Sequence, residues 1–156
     1  MLAPYFAGAG ATNQHEARAR GRAIAEQVGA TIAEIDLSAP FAAMRAAVER
    51  GVGGAAQPWA QGQLASYLRT PAFYFATALY EERGLPAIVI GTTNRDEGSY
   101  LGFFGKASDG MVDLQLLGDL HKSEIYALAA RLGVPQAIRD AAPTGDTFDG
   151  RTDQEM

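Results

Sequence analysis

PAIVIGT at residues 86–92, followed at once by TNRDEGSYLGFFGKASDGMVD at residues 93–113, decides the fold class. The first string is a continuous apolar run, the pattern of a strand buried on both faces of a parallel sheet. The second is a loop rich in glycine and polar residues. In open α/β sheets ligands collect beyond the carboxyl ends of the strands, which puts the expected site after Ile90.

Helices and one further strand surround this unit. Upstream, residues 61–83 have helical spacing interrupted at Pro71, which either kinks one long helix or starts a second, and Gly84 stops the run. GVGGAAQPW at 51–59 is a glycine-rich connector expected to be mobile. Before it, Ser38 and Pro40 open a helix carrying Phe41, Met44 and Val48, and TIAEIDL at 31–37 is a short β-prone run. Asn13 and Glu16 form a capping box for a first helix through Ala17, Ile24 and Val28, closed by Gly29. Downstream, residues 121–132 form a helix with Ile125, Leu128, Ala129 and Leu132 on its apolar face, ended by Gly133 and Pro135. A short helix over 135–140 and a polar tail follow. Strands alternating with helices predict an α/β fold, a doubly wound, mostly parallel sheet, in a single domain without internal repeats.

Composition narrows the function. The chain has 156 residues, 47% hydrophobic and 20% charged, enough for one sizeable core. A net charge of -5 repels nucleic acid and anionic membranes, so neither is an expected partner. The absence of cysteine excludes disulfides, thiolate zinc sites and a cysteine nucleophile within these residues. No basic, apolar leader opens the sequence and no run approaches the roughly 20 apolar residues that span a bilayer. A soluble, unprocessed, cytoplasmic protein is the expectation.

Three clusters offer chemistry. In 91–113, Glu97 and Asp109 are hard oxygen ligands suited to magnesium and Lys106 is a compact charge for a phosphate or carboxylate, while turn and capping roles explain the same residues equally simply. In GDLHKSEIY at 118–126, Lys122 lies in the first turn of a helix and opposes the macrodipole unless it meets an anion or pairs with Glu124 or Asp119. In the acidic tail 143–156, Thr144 and Asp146 either contact a nucleotide or metal or belong to a disordered terminus. His15 and His121 have no metal-pair spacing and read as surface residues.

Taken in order, GTTNRDE, GFFGKASDGMVD, LGDLHKSEIYALAARLGVP and PTGDTFDGRTDQEM resemble the consecutive site motifs of NAD synthetases, members of the PP-loop ATP pyrophosphatase superfamily. The resemblance runs from Leu2 to the end and is strongest over 87–156. It implies an adenine nucleotide alpha hydrolase-like, Rossmann-like fold. It further implies ATP-dependent amidation of deamido-NAD to NAD through an acyl-adenylate, with ATP as substrate, Mg2+, and release of pyrophosphate and AMP. Such chemistry depends on charge neutralisation. By this resemblance Thr92, Lys122 and Thr144 hold ATP, Glu97 binds magnesium, and Lys106, Asp109, Asp113 and Arg69 line the deamido-NAD site. No catalytic residue is assigned. Nitrogen comes from free ammonia, or from glutamine hydrolysed by a separate glutaminase domain or subunit whose cysteine this stretch lacks. Family members form homodimers through helices. The aromatic segment 61–83 is the candidate interface, or an ordinary core helix.

The sequence also departs from the family. The phosphate-cradling Ser-Gly-Gly-x-Asp-Ser string does not occur in these residues, and MLAPYF looks like the end of the family's second strand, so the first strand and the PP-loop are expected upstream and the chain reads as a partial synthetase domain over 1–156. In QLASYLR at 63–69, Tyr67 stands where the family's first arginine meets deamido-NAD. An alternative function is therefore a catalytically incomplete module that binds a dinucleotide or a partner, and a weaker one is an amidating enzyme for a different carboxylate. A sheet without its first strand also predicts marginal stability or association.

Overall fold

The computed structural model describes residues 2–5, 14–102 and 104–142. They fall into two compact units, residues 2–5 and 14–68 with 135–142, and residues 69–102 with 104–134. The elements are β1 (Leu2–Tyr5), α1 (Gln14–Gln27), β2 (Ala33–Asp36), α2 (Ser38–Val52), α3 (Pro58–Glu81), β3 (Ile90–Gly91), a π-helical turn (Asp96–Tyr100), β4 (Leu114–Gln115), α4 (Lys122–Arg131) and α5 (Gln136–Arg139). Strands alternate with helices and each strand pair is parallel, so the α/β class holds.

In the first unit, β1 and β2 run parallel in the register Leu2 to Ala33 through Tyr5 to Asp36, with α1 as the crossover. Arg18 and Arg22, one turn apart on α1, both bond the Glu34 carboxylate of β2 and so tie helix to strand. Gly29, at φ 66°, ends α1: the N–H of Ala30 reaches the carbonyl of Ala25 and that of Gly29 the carbonyl of Glu26, a double lock that needs a left-handed residue. Gly84 and Gly133 close α3 and α4 in the same way. The Asp36 carboxylate accepts the Ser38 N–H at 2.9 Å where α2 begins. The connector after α2 is fastened more than the sequence suggested. Glu49 accepts the Ala56 N–H at 2.7 Å, and the Gln61 side chain donates to the Ala56 carbonyl at 2.8 Å.

Pro71 lies inside one continuous helix, α3, so the outcome is a single long helix and not a restart. Proline cannot donate to the carbonyl of Tyr67, yet flanking turns carry the helix across the gap.

The expected strand over 86–92 is shorter and less buried than its apolar run predicts. Only Ile90–Gly91 is paired, with Leu114–Gln115. Val89 is buried at 7% exposure while Ile88 and Ile90 are 61% and 49% exposed, so burial alternates along the run instead of covering both faces. Pairing ends at Ile90 where the Val89 N–H meets the Asp113 carboxylate at 2.7 Å in place of a ladder carbonyl, and the side chains of Ile88 and Ile90 are left uncovered. β4 had no signal of its own beyond the polar loop. The apolar face expected on α4 is likewise open at Leu128 and Leu132. Among the described residues the buried hydrophobic set is Ala25, Leu37, Ala65, Ala76 and Val89, a thin core of mostly small side chains.

Gly91 is a close-approach glycine. A Cβ there would stand 2.2 Å from Oε1 of Gln115, whose Nε2 bonds the Asp109 carbonyl at 2.6 Å. Gly91→Ala is expected to lower stability by about 1–3 kcal/mol by expelling that amide, and Gln115→Ala in the same chain to remove part of the loss; urea denaturation of the single and double variants measures both.

A second prediction concerns acid. The guanidinium groups of Arg22 and Arg18 hold the Glu34 carboxyl at a pKa of about 2, below its ordinary 4.5. A depressed folded-state pKa gives stability that is present above the unfolded value and lost as pH falls through the folded one. Glu34→Gln is therefore expected to reduce the melting temperature near neutrality, with the gap to the unaltered chain closing between about pH 4.5 and 2.

Candidate functional site

The residues after β3 turn sharply into the π-helical turn, and the sequence explains how. Asn94, buried, accepts the Glu97 N–H on its Oδ1 at 3.0 Å, and Oε2 of Glu97 accepts the Asn94 N–H at 3.3 Å. This reciprocal pair is a capping box with asparagine as the cap, satisfying two backbone donors that the turn leaves open. The N–H of Arg95 then reaches the carbonyl of Leu120 at 3.0 Å, bringing the entrance of α4 alongside.

At that entrance the second cluster folds onto the first. Asp96 accepts the backbone N–H of Lys122 at 2.6 Å on one carboxylate oxygen and meets Nδ1 of His121 at 2.7 Å on the other. Glu124 accepts the His121 N–H at 2.8 Å. The Lys122 ammonium sits 3.1 Å from Oε1 of Glu97. The bonds from the Lys122 backbone and from His121 hold the Asp96 carboxyl below its ordinary pKa.

One expectation changes here. Lys122 pairs with Glu97, not with Glu124 or Asp119, because the turn delivers Glu97 to it from 25 residues away. His121 is exposed, as a surface residue should be, and its ring also meets Asp96.

The loop that follows is built around its own acids. Asp109 accepts the Gly105 N–H at 2.7 Å and the Ser108 hydroxyl at 3.5 Å, and the Thr70 hydroxyl of α3 donates to the Ala107 carbonyl at 2.6 Å. Asp113 takes the Val89 N–H at 2.7 Å and the Tyr74 hydroxyl at 3.4 Å. Burial and the neighbouring Asp113 charge push the Tyr74 phenol above its ordinary pKa. Lys106 is exposed, as is Thr92 just past β3, while Arg69 on α3 is half-buried. Thr144 and Asp146 lie outside the described residues.

Of the residues read from sequence, then, Glu97 and Lys122 are brought into contact, and Asp109 and Asp113 bond backbone and side-chain donors of their own loop and its neighbours. Asn94, Asp96, His121, Thr70 and Tyr74 were not singled out for these roles. The Asn-x-x-Glu spacing of a capping box was available as a signal for Asn94. Nothing in the sequence links Asp96 to His121 and Lys122.

The donor set fits magnesium in one mode only. Among the described residues no group of three or more His, Cys, Asp and Glu side chains converges, so no all-protein cage exists. Magnesium is commonly held by one or two carboxylates, retained waters and substrate phosphates, and the half-exposed Glu97 suits that mode. Asp96 beside it has both oxygens engaged.

The fold and site together define an α/β protein with parallel strand pairing that carries a cation and a carboxylate just past the end of a strand. The comparisons narrow the class. The NAD synthase family model matches residues 8–156, and the chain belongs to that family. It is 42% identical over 94 residues to the NH(3)-dependent NAD(+) synthetase of Syntrophomonas wolfei, covering 60% of this chain and 35% of that protein. It is 30% identical over 132 residues to the corresponding synthetase of Methanococcoides burtonii, covering 85% of this chain and 47% of that protein. Among solved structures, the NMN synthetase of Francisella tularensis superposes with a TM-score of 0.82 at 27% identity, over 99% of this chain and 60% of that one. The chain thus spans about half the length or less of these curated relatives. No helix among the described residues is long and apolar enough to cross a membrane.

Asp113→Ala is expected to cost about 1–3 kcal/mol, because the N–H of the buried Val89 loses its acceptor. Asp113→Asn, which keeps an acceptor oxygen, is expected to cost less; chemical denaturation compares the two.

Proposed function

We propose that this chain carries part of an ATP-dependent amidating site, and that the protein it represents converts deamido-NAD to NAD. The nicotinate carboxylate attacks the α-phosphate of ATP, forming an acyl-adenylate as pyrophosphate leaves. Ammonia then attacks the acyl carbon, and AMP departs with the electron pair of the broken C–O bond. The observation that supports this reading is the 3.1 Å contact of Lys122 with Glu97, a cation and a carboxylate drawn from two separate motifs that the resemblance assigns to phosphate and magnesium.

In this reading Lys122 and Thr144 hold ATP phosphates, Thr92 contacts ATP, and Lys122 stabilises charge on the departing pyrophosphate. Magnesium at Glu97, when bound, neutralises phosphate charge. The ion pair between Lys122 and Glu97 opens as each side chain takes its own ligand. Lys106 and Arg69 meet deamido-NAD, while Asp109 and Asp113 line that subsite by holding its loop in shape. The protein works as a homodimer in the cytoplasm, with ammonia supplied free or by a glutaminase domain or subunit.

A second reading has its own support. Tyr67, exposed on α3, replaces an arginine that the family resemblance assigns to deamido-NAD, and the Francisella tularensis relative is an NMN synthetase. Both favour a mononucleotide carboxylate as substrate, since loss of a guanidinium weakens recognition of the larger ligand.

The test supplies the protein at its relatives' full length with ATP, magnesium and ammonium, together with either deamido-NAD or nicotinate mononucleotide, and follows amide product and AMP. Turnover of deamido-NAD that falls about 100-fold in Lys122→Ala is the expected result. Preference for the mononucleotide selects the second reading. Binding of a nucleotide without turnover assigns the chain as a catalytically incomplete module, and neither binding nor turnover overturns the function.

A further inference from the structure

We infer that Asp96 is a positioning residue for Lys122: its carboxylate docks the amino end of α4 onto the 94–97 turn and so fixes where the Lys122 ammonium stands. Lys122 is the first residue of α4, and its N–H has no acceptor within the helix. Oδ2 of Asp96 supplies that acceptor at 2.6 Å from 26 residues away in the chain. Oδ1 meets the His121 ring at 2.7 Å, which sets the rotation of the carboxylate. His121 is in turn held through its own N–H by Glu124 at 2.8 Å.

The other side of the joint is equally fixed. Asn94 is buried and locks the turn through its reciprocal bonds with Glu97, and the Arg95 N–H reaches the Leu120 carbonyl at 3.0 Å. Asp96 thus joins two turns that each hold their own shape. A lysine side chain has four rotatable carbons, so its ammonium is placed only if its backbone is placed first. A lysine in the first turn also opposes the helix dipole, and the Asp96 carboxylate at that end offsets the unfavourable charge. Each Asp96 oxygen already holds one partner at the entrance of α4, so its action falls on the Lys122 backbone and the His121 ring.

The inference rests on the nucleotide reading only for what Lys122 holds, and the experiment separates the two. The full chain is compared with Asp96→Asn, which keeps shape and one acceptor but loses the charge. Backbone amide exchange without ligand is the first readout. The Lys122 amide is expected to exchange about fivefold faster in the variant, while the amides of Leu128 and Ala129 are unchanged. Unchanged exchange at Lys122 overturns the inference. If α4 loses protection throughout, His121→Ala, which removes one arm only, carries the same comparison.

The second readout is the affinity for magnesium·ATP in a cycle with Lys122→Met. Asp96→Asn is expected to weaken binding about fivefold when Lys122 is present and less than about twofold when it is absent. Additive losses mean that Asp96 does not act through Lys122 and overturn the inference. If the unaltered chain takes up no magnesium·ATP while the Lys122 amide responds to Asp96→Asn, the nucleotide reading fails and the docking role stands.

Discussion

The carboxylate of Asp96 joins two short turns whose own hydrogen bonds make them stiff but which have no covalent reason to meet. On one side is the Asn94 and Glu97 capping box at the end of β3, and on the other the start of α4 with Glu124 bonded back to His121. A charge-assisted bond to the Lys122 N–H and another to the His121 ring close the gap between them. The contact between Lys122 and Glu97, on which the functional reading stands, lies at that joint, which the Arg95 N–H also spans through its bond to the Leu120 carbonyl.

The same economy appears in the loop over 104–113. It has glycine for tight turning and leaves Phe104 and Met111 about half exposed, while polar side chains fasten it. Asp109 organises its interior, Thr70 pins Ala107 to α3, and Asp113 takes both the Tyr74 hydroxyl and the N–H of buried Val89. Asp113 thereby interrupts the β ladder one residue before Ile90, and this is why β3 is short. A residue matched to a ligand site by resemblance is also the residue that sets where the strand ends. The proposed place of Asp113 in a substrate site is therefore joined to a scaffolding role that the structure shows, and a loss of activity on its replacement is informative only beside a measure of stability.

The described hydrophobic core is thin, with Leu37 and Val89 its only larger side chains, and sizeable apolar residues such as Val52, Leu101 and Leu132 are exposed. Polar joints therefore carry an unusual share of the definition of each unit. In the first unit this is the pairing of Glu34 with Arg18 and Arg22, and in the second the network around Asp96. Such joints respond to pH and salt more than packed apolar contacts do, because their strength depends on ionisation and screening.

By itself the sequence determined the local features. Helix ends were readable at Gly29, Gly84 and Gly133 because left-handed residues are nearly always glycine, and the β2 segment and α4 were readable because their spacing is set by backbone geometry within a few residues. It also determined the family, through four motifs in the right order, and marked Glu97 and Lys122 as chemistry-bearing. The tertiary structure alone decided partners: that Lys122 meets Glu97 and not its helical neighbours, that His121 is engaged, that Asp113 truncates β3, and that α3 runs unbroken through Pro71. Burial of Ile88 and Ile90 was misjudged for the same reason. Spacing reports which residues share a face, but not whether another element covers that face or a carboxylate arrives from 24 residues away to take its hydrogen bond.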